Sequence, residues 1–287
     1  MTARNHIKEN LSHAVVLLHG LCGTYVELGA LIPKALKDNG YTVSSLEIPG
    51  YSASLIHPSV SPNWEEWCDT VDAELMRLKE THDTVSICGL SMGATLALAA
   101  AIRRDDILAV VLLSPILRYD GWAIPWGGIL INIPLFLGFK KWSYKEKEPF
   151  GLRNIEMRRR VAMSLKEKGV AEIGAAAIPA RQLYAAYKMM AYVRNSLGSI
   201  QSDILVIHAV DDETASPRNA EQILKEVNSE VRKAIWLGDC YHIITFDNER
   251  EIVTNETVRF IRKTIHNHEN DQTYRQLTHR AALKDRR

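Results

Sequence analysis

A series of short runs, most of them apolar almost end to end, restricts what this chain can fold into more than any other feature. They are AVVLLHG (14–20), TVSSLEIPG (42–50), DTVSIC (83–88), ILAVVLLS (107–114), DILVIHAV (203–210) and VRKAIWLG (231–238). A strand without a polar face has no side to give to water, so it must be covered on both faces. Helical spacing fills most of the intervals. In TYVELGALIPKALKDNG (24–40), Leu28, Leu31, Ile32, Ala35 and Leu36 share a face and the pattern stops at Gly40. In SPNWEEWCDTVDAELMRLKE (61–80), a Ser61 cap and Pro62 lead into Trp64, Trp67, Val71, Leu75 and Leu78. Further helices are expected after residue 91, from Pro217, and from Glu249 to about His266. Strand and helix in alternation predict an α/β fold: a mostly parallel sheet with helices on both faces.

The alternation is interrupted once. Residues 116–200 contain no convincing strand but hold two helical patterns, RNIEMRRRVAMSLKEKG and PARQLYAAYKMMAYVRNSL, the second with Leu183, Tyr187, Met190 and Leu197 on one face. The expected organisation is a core formed by 1–115 and 201–270, a helical cap of 116–200 inserted over the sheet edge, and a polar tail, 271–287, as a surface helix or frayed end. The apolar stretch GWAIPWGGILINIPLFLGF (121–139) approaches bilayer length, but Pro125, Asn132, Pro134 and four glycines weaken a spanning helix. It reads as a buried or membrane-touching lid, without stable membrane insertion.

Charge and cysteine usage narrow the partners. Net charge is +1 and the one internal basic block is Arg158-Arg159-Arg160, which disfavours nucleic acid or an acidic membrane surface as the main partner. The opening MTARNHIKENLSHA is polar and carries no signal-peptide core. Cys22, Cys68, Cys88 and Cys240 are scattered without C-x-x-C spacing, which reads as small buried thiols and predicts a cytoplasmic protein, monomer or homodimer. No histidine pair stands at ligand spacing near a carboxylate, so no metal or other cofactor is expected.

The chemistry centres on VSICGLSMGATLALAAAI (85–102), which places Ser91 between Gly89 and Gly93 where a strand passes into a small-residue helix. Missing side chains on both glycines permit a tight turn that strains the serine backbone and holds its oxygen clear of the sheet. The same turn aims the Met92 N–H toward charge developing beside Ser91 Oγ. A serine hydroxyl needs a histidine to take its proton and a carboxylate to orient the ring. In a sheet of this kind these follow in the order serine, acid, histidine. His208 lies within a strand and His266 and His268 end a helix, whereas His242, in GDCYHIITFD, falls in the loop after the last strand. The loop after 203–210 offers Asp211, Asp212 and Glu213; Asp212 is the first choice and Asp211 the second. LLHGLCGT (17–24) ends the first strand, and its Leu21 N–H is the second candidate donor to an oxyanion. His19 reads as a structural hydrogen-bonding residue.

Together HGLCGT, GLSMGA, HAVDDETASP and CYHIITFD resemble bacterial carboxylesterases and monoacylglycerol lipases of the α/β-hydrolase superfamily, from Ala14 to about His266. The resemblance implies Ser91 as nucleophile, His242 as base, Asp212 as its orienting acid, and Leu21 and Met92 as oxyanion donors. It also implies hydrolysis of a small-molecule ester through an acyl-enzyme. Trp122, Trp126, Ile129 and Phe136 are expected to bind the substrate and favour an uncharged, apolar acyl group. A thioesterase, or an aminopeptidase or amidase, could use the same three side chains; a non-catalytic binding protein would have no need of all three.

Overall fold

The computed structural model describes residues 11–57, 61–124, 143–145, 148–168 and 177–284. Its strands are β1 (His13–Leu18), β2 (Thr42–Ser45), β3 (Thr84–Leu90), β4 (Ala109–Leu113), β5 (Ser143–Lys145), β6 (Ala177–Pro179), β7 (Asp203–Ala209) and β8 (Arg232–Leu237). Six of them form one sheet in the order β2-β1-β3-β4-β7-β8, and every neighbouring pair is parallel. The helices are α1 (Leu31–Asp38), α2 (Trp64–Lys79), α3 (Met92–Arg103), α4 (Ile155–Lys168), α5 (Ala180–Ser196), α6 (Arg218–Glu226) and α7 (Arg250–Lys284).

The uniformly apolar strands are explained by what covers them. Along β1, Ala14, Val16 and Leu18 face a core shared with α2, α3, α5 and α6, while Val15 and Leu17 face one shared with α1 and α7. Burying a Val, Leu or Ile side chain is worth roughly 1.5–3 kcal/mol, so a two-faced strand gains twice what an alternating one does. Edge strands β2 and β8 are only partly buried.

Three elements differ from what the pattern predicts. The segment 24–40 is not one helix: a 3-10 turn at Tyr25–Leu28 is cut from α1 at Gly29, whose φ is 68°. That glycine lies against the Thr245 carbonyl, which a Cβ would meet at 3.0 Å, so tertiary contact overrides the helical spacing. Residues 116–200 do contain strands, since β5 and β6 pair antiparallel. Three residues each are too few to leave a period. The C-terminal helix runs unbroken from Arg250 to Lys284. Among the described residues no helix is long and apolar enough to cross a membrane, and most of the 121–139 stretch lies outside them.

Buried histidines set the acid response of this fold. Burial, with His82 adding to it, lowers His13 to about 4, and burial likewise lowers His19 and His208. Below the unfolded value near 6.5 the unfolded chain binds more protons than the folded one, so stability falls as pH drops from about 6.5 toward 4. For His13 alone the loss by pH 5 is about 2 kcal/mol. Glu213, whose carboxyl burial pushes up, works in the opposite sense and offsets part of this. The urea midpoint is therefore expected to be clearly lower at pH 5 than at pH 7; an unchanged midpoint would contradict the account.

Candidate active site

Because all six strands are parallel, the loops at their carboxyl ends open on one edge of the sheet. β1 pairs with β2 on one side and β3 on the other, so the chain leaves in opposite directions here and a crevice opens between β1 and β3. Ser91 follows β3, the HGLCG loop follows β1, and the loops after β7 and β8 reach the same rim.

Ser91 has φ 59° and ψ −122°, a conformation that costs a non-glycine residue about 1–3 kcal/mol. Its N–H donates to the Leu113 carbonyl at 2.8 Å. The flanking glycines are there for space. A Cβ on Gly89 would lie 2.3 Å from the Gly93 carbonyl oxygen, and one on Gly93 would lie 2.3 Å from the Leu18 and 2.4 Å from the His19 carbonyl oxygens. These are backbone atoms of the sheet and helix and cannot swing aside. Met92 is the first residue of α3, where an N–H has no partner within its helix.

Ser91 Oγ lies 2.8 Å from His242 Nε2, and His242 Nδ1 lies 2.7 Å from Asp212 Oδ2. The other Asp212 oxygen accepts the N–H groups of Thr214 at 2.9 Å and Ala215 at 2.8 Å. Burial alone would push this carboxyl up, but the His242 charge and these hydrogen bonds outweigh it and hold the value below the ordinary one. Asp212 thus remains an acceptor, which leaves the imidazole proton on Nδ1 and the Nε2 lone pair toward the serine. Asp211 points elsewhere, its carboxylate 2.9 Å from Arg153 Nη1. Glu213, also buried, accepts the His242 backbone N–H at 3.1 Å.

His208 Nε2 lies 3.4 Å from Asp212 Oδ2, the same oxygen that meets His242. Burial keeps that ring neutral, and Nε2 donates to the Ala215 carbonyl at 2.9 Å. It is a neighbour of the acid and has no line to Ser91. The loop after β1 is braced in a similar way. His19 Nδ1 donates to the Gly20 carbonyl at 2.7 Å, its Nε2 accepts from Ser52 Oγ at 2.8 Å, and Tyr51 Oη donates to the His19 carbonyl at 2.8 Å. Among the described residues the Leu21 N–H donates to no backbone carbonyl.

Of the expected substrate-binding residues, Trp126, Ile129 and Phe136 lie outside the described residues. Trp122 is 62% exposed; its Nε1 donates to the Asp211 carbonyl at 3.0 Å and its ring meets Tyr241 edge-on at 5.7 Å. It therefore stands over the acid and histidine loops rather than deep among core side chains. The four cysteines are buried and form no disulfide, and burial pushes Cys68, Cys88 and Cys240 up to about 12.

The sequence reading gives two buried acids no role. Asp247, with no exposed surface, accepts the backbone N–H groups of Arg153, Asn154, Tyr241 and Asn248 at 2.7–3.0 Å. It ties the root of α4 to the loop that carries His242. Its spacing after His242 was the only signal it left. Glu27 lies beneath the loop after β1 and left none, since it falls on the polar side of a helical pattern.

Known proteins match this chain over most of its length. The family model described as "Serine aminopeptidase, S33" matches residues 9–249. A carboxylesterase of Bacillus subtilis (strain 168) is 24% identical over 253 residues, covering 87% of this chain and 92% of that protein. A thermostable monoacylglycerol lipase of Bacillus sp. (strain H-257) is 24% identical over 257 residues, covering 89% and 92%. The crystal structure of a Paleococcus ferrophilus monoacylglycerol lipase superposes with a TM-score of 0.69 at 20% identity, covering 88% of this chain and 94% of that one.

Proposed function

Since this chain belongs to the serine aminopeptidase S33 family and has the α/β-hydrolase fold, we propose that it is a serine hydrolase that cleaves carboxylic esters through an acyl-enzyme on Ser91. The reading rests on one observation above all: the continuous hydrogen-bonded path Ser91 Oγ, His242 Nε2, His242 Nδ1, Asp212 Oδ2 at 2.8 and 2.7 Å. His242 takes the hydroxyl proton as Ser91 attacks the ester carbonyl. The carbonyl oxygen, now an anion, is held by the Leu21 and Met92 amides. As the carbon–oxygen bond to the alcohol breaks, His242 returns the proton to that leaving oxygen. Water then attacks the acyl-serine with His242 again as base, and the acid product leaves. Asp212 keeps the ring in the required tautomer and stabilises the imidazolium without taking its proton.

Residues 116–200 serve as the cap, and Trp122, Trp126, Ile129 and Phe136 favour an uncharged, apolar acyl chain. Four buried cysteines without a disulfide fit a reducing, cytoplasmic setting. Ester cleavage is preferred over peptide cleavage because an aminopeptidase must hold a substrate ammonium with a carboxylate. Among the described residues of the cap, Asp120 accepts from Ser216 and Asn219, Glu156 lies 3.7 Å from Arg160, and Glu148 is exposed.

The test is a fluorophosphonate adduct mapped to Ser91, followed by turnover of p-nitrophenyl esters of graded chain length, a monoacylglycerol, an acyl-thioester and an aminoacyl anilide. We expect an adduct on Ser91 and the highest kcat/KM on esters of medium or long acyl chains. Turnover confined to the anilide, or no adduct on folded protein, would refute the reading.

A further inference from the structure

We propose that Glu27 is a positioning residue: its carboxylate, buried between Gly20 and Gly23, holds the Leu21 N–H where the oxyanion forms. The inference rests on the ester-cleaving role of Ser91. Glu27 is 3% exposed, and its Oε2 accepts the Gly20 N–H at 2.8 Å. The loop is built around this carboxylate. A Cβ on Gly20 would lie 2.9 Å from Oε2, and one on Gly23 would lie 2.1 and 2.3 Å from the two oxygens. The same Gly20 Cβ would come 3.8 Å from Ser91 Oγ, so Gly20 also borders the nucleophile.

The Leu21 N–H belongs to the same planar unit as the Gly20 carbonyl, so pinning that carbonyl orients the N–H opposite to it. The carbonyl is pinned by His19 Nδ1 at 2.7 Å and the Gly23 N–H at 3.1 Å, and Glu27 fixes the other end of Gly20. The Glu27 backbone carbonyl also accepts Thr245 Oγ1, three residues beyond His242. One residue thus links the donor loop to the segment that carries the base. The role is one of reach and not of charge, because a negative carboxylate does nothing favourable for an anion developing nearby.

Reach and charge are separated by Glu27→Gln, which keeps an acceptor at the same distance, and Glu27→Asp, which keeps the charge one methylene short. Glu27→Ala removes both. In Glu27→Ala and Glu27→Asp we expect kcat on a p-nitrophenyl ester to fall by about 10²-fold with KM within about threefold, as for loss of one oxyanion donor. A trifluoromethyl ketone, whose adduct carries the oxyanion, should lose affinity in parallel. Glu27→Gln should recover most of both. Exchange of the Gly20 amide hydrogen should be slow in wild type and Gln, and fast in Ala and Asp. If Glu27→Ala does not fold, the Asp and Gln variants decide alone. Variants matching wild type in kcat and inhibitor affinity, or Asp active with Gln inactive, would overturn the assignment. A wild type whose Ser91 takes no fluorophosphonate would instead sink the reading beneath it, and the Gly20 exchange would still report on the loop.

Discussion

Ser91→Ala is expected to lower kcat on a p-nitrophenyl ester by on the order of 10⁴-fold or more, with KM little changed. The substitution removes the Ser91 hydroxyl and leaves the loop after β1 and the sheet in place. His242→Ala should fall as far, because at neutral pH the hydroxyl cannot lose its proton without a base at 2.8 Å. Asp212→Asn tests the orienting step. An amide nitrogen turned toward His242 would favour the proton on Nε2, which then faces Ser91 with no lone pair, and a loss of about 10⁴-fold is expected. The double variant Ser91→Ala with His242→Ala should be no worse than either single one, since the groups act as a unit. Asp211→Asn, by contrast, should cost less than about threefold, because that carboxylate is engaged with Arg153 on the surface. Steady-state kinetics on the five proteins, after removal of contaminating hydrolase by size exclusion, checks the set. Residual activity of a tenth or more in Ser91→Ala would refute the nucleophile assignment.

Asp247→Ala should be the most destabilising single substitution of a charged residue near this site, at about 3–5 kcal/mol. The four backbone N–H groups that Asp247 accepts would lose their partner. Each buried donor so orphaned costs roughly 1–3 kcal/mol, with some relief where water can enter. Asn at this position has one oxygen for four donors and should recover about half. Activity should fall with stability, because the Tyr241 N–H fixes the residue just before His242 while the Arg153 and Asn154 N–H groups fix the root of α4. Urea unfolding gives the first quantity and kcat/KM at a temperature where the variant is folded gives the second. A loss under about 1 kcal/mol would show that the loop does not depend on this carboxylate.

How far the chain could be read from its residues varies with the range of the interaction. The six-stranded parallel sheet and the turn around Ser91 were legible, and the structure gives the reason at Gly89 and Gly93: a Cβ at either would strike backbone. His242 was legible by order along the chain and by elimination of three other histidines. The segment 24–40 misled because its apolar spacing is helical throughout, while the break at Gly29 answers to Thr245, which lies far along the chain. Trp122 is expected among the apolar residues of the cap, and an apolar pattern does not show that its Nε1 meets the Asp211 carbonyl and its ring Tyr241, which are contacts between segments distant in the chain.

By itself the sequence determined the layers, the strained serine and the order in which its partners arrive, because those follow from side-chain size, backbone sterics and apolar period over a few residues. The sequence ranks Asp212 ahead of Asp211, but only the tertiary structure brings the Asp212 carboxylate to the His242 imidazole and the Asp211 carboxylate to Arg153. The tertiary structure alone set Glu27 under the donor loop and gave Asp247 its four amides. Adjacent carboxylates have the same local chemistry. Which one meets an imidazole 30 residues away is decided by distances that exist only once the sheet has brought its loops to one edge.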